Sequence, residues 1–175
     1  MIFQQAKPEE FDIIKGFYWE LIDQMSDQND KIGWKKGIYP SDQLLQDSLN
    51  RGELYTLRHD EQICACVILN SSSNEGYAGV PWSIDCGGQE VLIPHALAVA
   101  KFRQGNGIGT ELVTHIINTA GASGKKAVRL DILGTNKAAE RLYTRCGFKF
   151  VQAKSMFYED TGWTEYKMFE LNLLP

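Results

Sequence analysis

The sequence has 175 residues, of which 43% are hydrophobic and 23% are charged, and its formal net charge is −4. That length is enough to bury a sizeable core, so we expect one domain over residues 1–175. The acidic balance and the lack of a recognised nucleic-acid-binding motif argue against a nucleic acid as partner, and no window approaches the eighteen apolar residues of a membrane span.

The N-terminal third is predicted to contain one strand and two helices. Residues 1–7 have a strand pattern, and Pro8 stands where a helix begins, because proline is favoured in the first helical turn. Apolar side chains at steps of three and four residues give this helix one buried face and carry it to about Asp27. Ser41 is the expected N-cap of a second helix that ends near Arg51.

The middle of the chain is predicted to hold three strands and a long loop. Segments 53–58 and 61–69 alternate in polarity and are rich in Val, Ile, Tyr and Cys, which predicts a hairpin. Residues 70–88 are rich in Ser, Asn and Gly and are expected to form a loop. A strand follows over 90–100, where Pro94 indicates an edge, a bulge or a break in pairing because it has no N–H to donate.

A glycine cluster then opens another helix, which Gly121 and Gly124 are expected to end. The remaining predicted elements are a strand over 127–133, a helix over 136–146, and strands over 148–158 and 164–173. Helices alternate with strands in the middle of the chain, whereas the C-terminal end is strand after strand. This order predicts a mixed α/β fold with a mixed-direction sheet.

The four cysteines form no disulfide framework, which together with the polar N-terminus predicts a cytoplasmic protein. Cys64 and Cys66 are two residues apart in a predicted strand, a spacing that is expected to place both thiols on one face. No histidine stands at ligand spacing from them, so we expect buried apolar cysteines and no metal site.

The turn before the third helix has the composition of a phosphate-binding loop. It reads Gln104-Gly105-Asn106-Gly107-Ile108-Gly109-Thr110. Glycines let the backbone curl tightly and point several N–H groups at one place, and the helix N-terminus adds partial positive charge. The pattern therefore predicts that this turn binds a phosphate group.

Two common phosphate motifs do not fit. A nucleotide P-loop needs Lys and Ser/Thr directly after its last glycine, whereas Thr110 is followed by Glu111. The dinucleotide motif G-x-G-x-x-G needs glycine at position 110. Asp131 lies about twenty residues further on, as a ribose-binding acid would, but it is expected in mid-strand and not at a strand end.

The segment Gln104-x-x-Gly107-x-Gly109 resembles the (Gln/Arg)-x-x-Gly-x-(Gly/Ala) signature of the GNAT superfamily of N-acetyltransferases. A second match follows in the right order: residues 131–148 read D-x-x-x-x-N-x-x-A-x-x-L-Y-x-x-x-G-F. The resemblance is specific over residues 93–150 and only architectural elsewhere.

The resemblance implies a GNAT fold, with a central mixed-direction sheet that splays open and about four flanking helices. It implies acetyl-CoA as co-substrate, with the strand end Leu97-Ala98-Val99 along its pantetheine arm and the turn from Gln104 to Thr110 around its pyrophosphate. Asn136 is expected near the same arm, although a pure N-cap role stays open. Candidates for the adenosine phosphates, or else solvated charges, are Lys101, Arg103, Lys137 and Arg141.

Charge is segregated along the chain in a way that suits such a reaction. Residues 100–150 hold nine basic and three acidic side chains, a net +6, which leaves −10 elsewhere. Opposite fields would attract an anionic cofactor and a cationic substrate to one enzyme. An ordinary solvated surface accounts for the distribution equally well.

Two side chains are candidates for proton transfer. His95 lies on the strand that would pass the acetyl group and titrates near neutrality, so it is the expected general base. A buried structural histidine is the alternative, and Glu90, expected on the same strand, is the next candidate base. Tyr143, which the resemblance assigns as the general acid that protonates the departing thiolate, is otherwise a core tyrosine.

The predicted function is acetyl transfer from acetyl-CoA to a primary amine by direct attack in a ternary complex, with a non-catalytic acyl-CoA sensor as the alternative. The acceptor, a small molecule or a peptide amine, stays open. Trp34, Tyr39 and Trp82 either line its pocket or cover the core. Homodimers are common among similar proteins, so the resemblance, and not the sequence itself, adds a homodimer to the expectations.

Overall fold

The computed structural model describes residues 1–25 and 33–174. Its four α-helices are α1 (Phe11–Met25), α2 (Asp42–Asn50), α3 (Ile108–Ala122) and α4 (Lys137–Arg145). Its seven strands are β1 (Ile2–Gln5), β2 (Leu54–His59), β3 (Gln62–Asn70), β4 (Val91–Val99), β5 (Ala127–Leu133), β6 (Lys149–Tyr158) and β7 (Gly162–Asn172). These elements confirm the predicted mixed α/β class.

The described strands form one sheet in the order β1-β2-β3-β4-β5-β7-β6. Every neighbouring pair is antiparallel except β4 and β5, which run parallel. Helices α3 and α4 cover one face, over a core that includes Leu112 and Leu130. Helices α1 and α2 cover the other face beside β3, where Tyr18 and Ile68 are fully buried.

The sheet opens between its two central strands. Strand β4 pairs with β5 only at Val91 and Leu92, but it stays paired with β3 as far as Val99. Backbone groups of residues 93–99 that point away from β3 therefore have no strand partner. The predicted splay is confirmed. The opening begins at residue 93, six residues before β4 ends at Val99.

A β-bulge bends β4 inside the opened segment. Ala96 has φ of +49°, a left-handed conformation that is rare for a residue with a side chain. The pairing slips here, because Ile68 lies opposite His95 whereas Cys66 lies opposite Ala98. The Tyr18 hydroxyl donates a 2.7 Å hydrogen bond to the Ala96 carbonyl and so fixes the bulge from helix α1. The irregularity that Pro94 indicated lies two residues after it.

The loop between β3 and β4 is tied to the sheet beside the opening. Arg129 donates to the Cys86 carbonyl at 2.8 Å, to the Ile84 carbonyl at 2.7 Å and to Glu170 at 2.9 Å. Arg129 and Glu170 are 5% and 3% exposed, so this ion pair is shielded from solvent. The anchored loop places Tyr77 over β5.

Most predicted local signals are confirmed. The Ser41 hydroxyl accepts from the Leu44 N–H at 3.1 Å and caps α2, and the hairpin of β2 and β3 lies as expected. The predicted end of the first helix, Asp27, lies outside the described residues. Gly121 does not end α3 but lies inside it, and Gly124 follows in a left-handed conformation.

The expectation for Cys64 and Cys66 is half right. Both are fully buried, as predicted. They pack on opposite faces of the sheet, however, with Cys64 in the α3 core and Cys66 in the α1 core. The reason is a register shift between β2 and β3 after Leu57, which breaks the two-residue alternation of the strand.

Candidate active site

A cavity of about 850 Å³ occupies the opening between β4 and β5. It reaches from the N-terminal turn of α3, past the unpaired segment of β4, to aromatic side chains beside α1 and β7. Its lining includes these predicted site residues: His95, Leu97, Ala98, Val99, Gln104, Gly105, Gly107, Ile108, Gly109, Thr110, Asn136 and Tyr143. Asn106 is the predicted site residue that does not line it.

The glycine-rich turn presents a cluster of unpaired donors to this cavity. Gly105 and Gly107 have φ of +80° and +81°, which favours glycine strongly. A Cβ on Gly107 would meet no atom within 4 Å, so its Cα borders open space. Within the described chain, no hydrogen bond satisfies the backbone N–H groups of these residues: Gly105, Gly107, Ile108, Gly109 and Thr110. Such a cluster at a helix N-terminus attracts an anion.

Two side chains hold this turn in place. The Gln104 side chain donates to the Val99 carbonyl at 3.1 Å and links the turn to the end of β4. A Cβ on Gly109 would come within 3.1 Å of Leu142, so the missing side chain lets α3 approach α4 closely. The glycines thus serve two purposes, backbone curvature at Gly107 and helix packing at Gly109.

Asn136 caps α4 and also faces the cavity. Its side-chain oxygen accepts from the Ala139 N–H at 3.0 Å, which is the N-cap hydrogen bond. Because Asn136 also lines the cavity, the capping role and a place near a ligand are compatible.

Of the four basic candidates, only Lys101 lines the cavity, where it is joined by Arg145, which the sequence did not single out. Lys137 pairs with Glu140 at 3.1 Å, and Arg103 stacks over Phe102 at 5.3 Å. The cavity therefore has a positively charged side near α3 and α4.

His95 is half-buried in the wall and held by a chain of hydrogen bonds. Its Nε2 lies 2.9 Å from the Asn70 side-chain oxygen, and the Asn70 amide donates to Glu53 at 3.1 Å. Because that oxygen can only accept, Nε2 carries the ring proton and Nδ1 keeps a lone pair. Burial lowers the pKa of His95, while a backbone hydrogen bond at Ser72 and the Glu53 charge oppose this shift. His95 is accordingly neutral at pH 7.

Tyr143 reaches the cavity from α4. The ring is 5% exposed and packs edge-on against Phe148 at 5.3 Å. Its hydroxyl makes no hydrogen bond to any residue that the structure describes. Burial, with smaller contributions from Cys146 and Asp131, raises the pKa of Tyr143. The hydroxyl therefore keeps its proton at neutral pH and can donate it.

The far end of the cavity contains carboxyl groups. Asp131, in mid-strand on β5, accepts hydrogen bonds from the Tyr77 hydroxyl at 2.9 Å and from the Tyr158 hydroxyl at 3.0 Å. Asp160, 6% exposed, lines the same end. Burial raises the pKa of both carboxyl groups. The walls here are aromatic, with Trp34, Tyr39 and Tyr166.

Sequence comparison agrees with this geometry. Residues 15–148 match the Acetyltransferase (GNAT) family. The chain belongs to the GNAT family. A curated relative, the uncharacterized N-acetyltransferase YesJ of Bacillus subtilis strain 168, is 27% identical over 111 residues, which span 63% of this chain and 61% of YesJ. The match thus covers less than two thirds of that relative.

Solved structures show the same GNAT fold. A GNAT-family acetyltransferase from Streptococcus agalactiae superposes with a TM-score of 0.77 at 16% identity, over 99% of this chain and 96% of that one. The structure of yncA from Salmonella typhimurium with its cofactor acetyl-CoA gives a TM-score of 0.69 at 17% identity, over 99% and 94% of the two chains. At such identities the likeness establishes the fold.

Two residues considered for this GNAT site lie elsewhere. Glu90 is not on β4 but in the turn before it, where it pairs with Lys126 at 2.5 Å and is absent from the cavity lining. The turn forms because Gly88 takes a left-handed conformation and the strand begins only at Val91. Trp82 packs over Arg129 at 4.6 Å and covers the core.

The acidic end was missed by reasoning from sequence. Its signal was present in β5, where a charged Asp131 stands between apolar neighbours in a central strand. A buried charge in such a place requires hydrogen-bond partners. Those partners, Tyr77 and Tyr158, lie 54 and 27 residues away along the chain. Periodicity within one element could not find them.

No helix within the described residues is both long and apolar enough to cross a membrane.

Proposed function

We propose that this GNAT protein transfers the acetyl group of acetyl-CoA to a primary amine by direct attack within a ternary complex. The observation that carries the proposal is one continuous cavity. It joins the unpaired N–H groups at the α3 N-terminus, the unpaired edge of β4 and the hydroxyl of Tyr143.

The residues present fit the cofactor. The N–H groups from Gly105 to Thr110 match the acceptor oxygens of a pyrophosphate, and Lys101 and Arg145 add positive charge beside them. The free edge of β4 between Pro94 and Val99 offers backbone groups to an amide-containing arm. Acetyl-CoA would supply the activated acetyl group, and the yncA structure, similar in fold, contains this cofactor.

The acceptor amine must lose a proton before it can attack. An amine of the lysine type has a pKa of ~10.4, so at pH 7 about one molecule in 2,500 is neutral, a handicap of roughly 4 to 5 kcal/mol. With Nε2 hydrogen-bonded to the Asn70 side chain, Nδ1 of His95 carries the lone pair that a base needs, and the Asn70–Glu53 chain holds the ring. His95 therefore accepts the amine proton in our scheme.

The thiolate that leaves is protonated by Tyr143. This side chain keeps its proton at neutral pH and its hydroxyl has no competing partner among the described residues, as a proton donor requires. A thiol has a pKa of ~8.5, so the thiolate is already a tolerable leaving group and the help of Tyr143 should be modest.

The test is a coenzyme A release assay with a thiol reagent, run on a panel of amines with acetyl-CoA. We expect release that depends on both substrates and mass spectrometry that detects an N-acetylated amine. Calorimetry measures acetyl-CoA binding in parallel. Tight binding without release for every amine would contradict catalysis and favour the acyl-CoA sensor instead. Absence of binding would contradict both functions.

A further inference from the structure

The two ends of the cavity carry opposite charges. Lys101 and Arg145 lie on the side of the glycine turn, whereas Asp131 and Asp160 lie at the aromatic end. The positive side is accounted for by the phosphates of the proposed cofactor. The proposed cofactor offers no positively charged group for the carboxyl groups at the aromatic end.

Neither carboxyl group forms an ion pair in the part of the chain that the structure describes. Within residues 1–25 and 33–174, no Lys, Arg or His nitrogen lies within 4.0 Å of Asp131 or Asp160. Burial raises the pKa of Asp160, and backbone hydrogen bonds at Asp160 and Thr161, followed by the charge of the exposed Lys35, oppose this rise only in part. An unpaired carboxylate removed from water is costly unless hydrogen bonds and a cation compensate.

The hydrogen bonds around Asp131 favour its charged form. Two phenol hydroxyls, those of Tyr77 and Tyr158, donate to it, and Tyr158 reaches both carboxylate oxygens at 3.0 and 3.1 Å. A carboxylate accepts such bonds best when it is ionised. Burial raises the pKa of Asp131 and opposes this preference, so a cation at this end of the cavity would stabilise the charged form.

The walls are also suited to a cation. The rings of Trp34 and Tyr39 lie 5.7 Å apart, and those of Tyr158 and Tyr166 lie 4.7 Å apart. The charges of Asp131 and Asp160 both act on the hydroxyl groups of Tyr39 and Tyr166, so these two side chains lie near both carboxyl groups. Aromatic faces attract ammonium and guanidinium groups by their quadrupole.

The attacking nitrogen cannot be this cation during the reaction, because it must become neutral to attack a thioester. The two carboxyl groups stay in place throughout the reaction, so only a positive charge that is kept throughout the reaction can compensate them. We propose that the acidic end of the cavity binds an acceptor amine that carries a second positively charged group, as in a diamine or a polyamine. This inference rests on the proposed function and names its substrate class.

The experiment uses three five-carbon amines that differ only in the charge of the far end. They are 1,5-diaminopentane, pentylamine and 5-aminopentanoic acid, with tails that are positive, neutral and negative. We expect kcat/KM to fall in that order, by about tenfold or more at each step. Diamines and matched monoamines of three to six carbons establish the best length.

Variants then locate the effect. Asp131→Asn and Asp160→Asn should each bring the ratio of kcat/KM for the diamine over pentylamine close to one. Glu159→Gln is the matched control, because it removes one negative charge from an exposed neighbour, and it should keep the ratio. Circular dichroism verifies that each variant is folded. If one of the two Asp variants does not fold, the other still tests the inference.

The outcomes separate this inference from the proposed function. Equal kcat/KM for the three amines, or a ratio unchanged in both Asp variants, would overturn the inference and leave acetyl transfer standing. If no amine releases coenzyme A, the proposal of acetyl transfer is refuted. The inference is then tested by calorimetry, which measures binding of the diamine and of pentylamine to the acetyl-CoA complex. Tighter binding of the diamine than of pentylamine, lost in Asp131→Asn, would support it. Equal binding or none would refute it.

Discussion

The two ends of the cavity are built from different parts of the polypeptide. At the glycine turn the functional atoms are backbone N–H groups, which Gly105 and Gly107 expose through left-handed dihedral angles. At the acidic end they are side-chain oxygens of Asp131 and Asp160, and tyrosines from other segments hold Asp131. Ligand binding at the glycine turn should therefore be lost when the backbone conformation changes or when a side chain blocks the N–H groups. Binding at the acidic end should be lost when a side-chain charge is removed.

The largest effect is expected at the backbone end. In Gly107→Val a side chain enters the space at the turn, so acetyl-CoA binding measured by calorimetry should be lost. The left-handed angle adds about 1 to 2 kcal/mol of strain. Gly124→Val is the matched control, because Gly124 is also left-handed, with open space around it, at the other end of α3. Both variants should lose similar thermal stability, and only Gly107→Val should lose binding. Unchanged affinity in folded Gly107→Val would refute the assignment of the turn.

The next effect probes the chemistry between the two ends. His95→Ala should lower kcat/KM by about 10² to 10⁴, and least at high pH where the amine is already neutral. Because burial lowers the pKa of His95, the protonation that inactivates the base should occur below its usual value of about 6.5. The acid limb of the pH profile should therefore lie below pH ~6.5 and disappear in the variant. Lower melting temperature with normal turnover would instead identify a structural histidine.

A smaller effect is expected for the acid. Tyr143→Phe keeps the ring and its contact with Phe148, so melting temperature and acetyl-CoA affinity should scarcely change while kcat falls about tenfold. Tyr55→Phe is a control outside the cavity, since Tyr55 stacks on Phe3, and it should leave kcat unchanged. A loss of kcat explained entirely by weaker acetyl-CoA binding would remove the proton-donor role.

The smallest effect separates capping from ligand contact. Asn136→Ala and Ser41→Ala each remove an N-cap hydrogen bond, so each should cost about 0.5 to 2 kcal/mol of stability in denaturant unfolding. Only Asn136 lines the cavity, so only its variant should also weaken acetyl-CoA binding, by a few fold. Equal affinities in the two variants would leave Asn136 as a cap alone.

The same contrast explains what could be predicted from the sequence. The glycine turn and Asn136 are contiguous motifs whose residue types follow from backbone geometry, and the structure places all but Asn106 of that turn in the cavity. The pocket of Asp131 depends on side chains that tertiary folding brings together, and a single sequence carries no record of such contacts. Glu90 and Cys64 were misplaced for a related reason, because a turn and a bulge interrupt the regular alternation of a strand.

Other expectations are still predictions. They are the single domain over residues 1–175, the cytoplasmic location, the homodimer and the individual roles of the site residues. Each depends on properties beyond local pattern, such as surfaces that meet other molecules.

The bulged part of β4 amounts to an edge strand in the middle of a sheet. Exposed edges usually invite pairing with strands of other proteins and hence aggregation. Here the unpaired backbone groups after Leu92 face β5 across a cleft. Strand β5 therefore blocks the approach of a strand from another protein molecule. Amide hydrogens along this hidden edge should exchange with deuterium faster than their neighbours that face β3, and a ligand in the cleft should slow them.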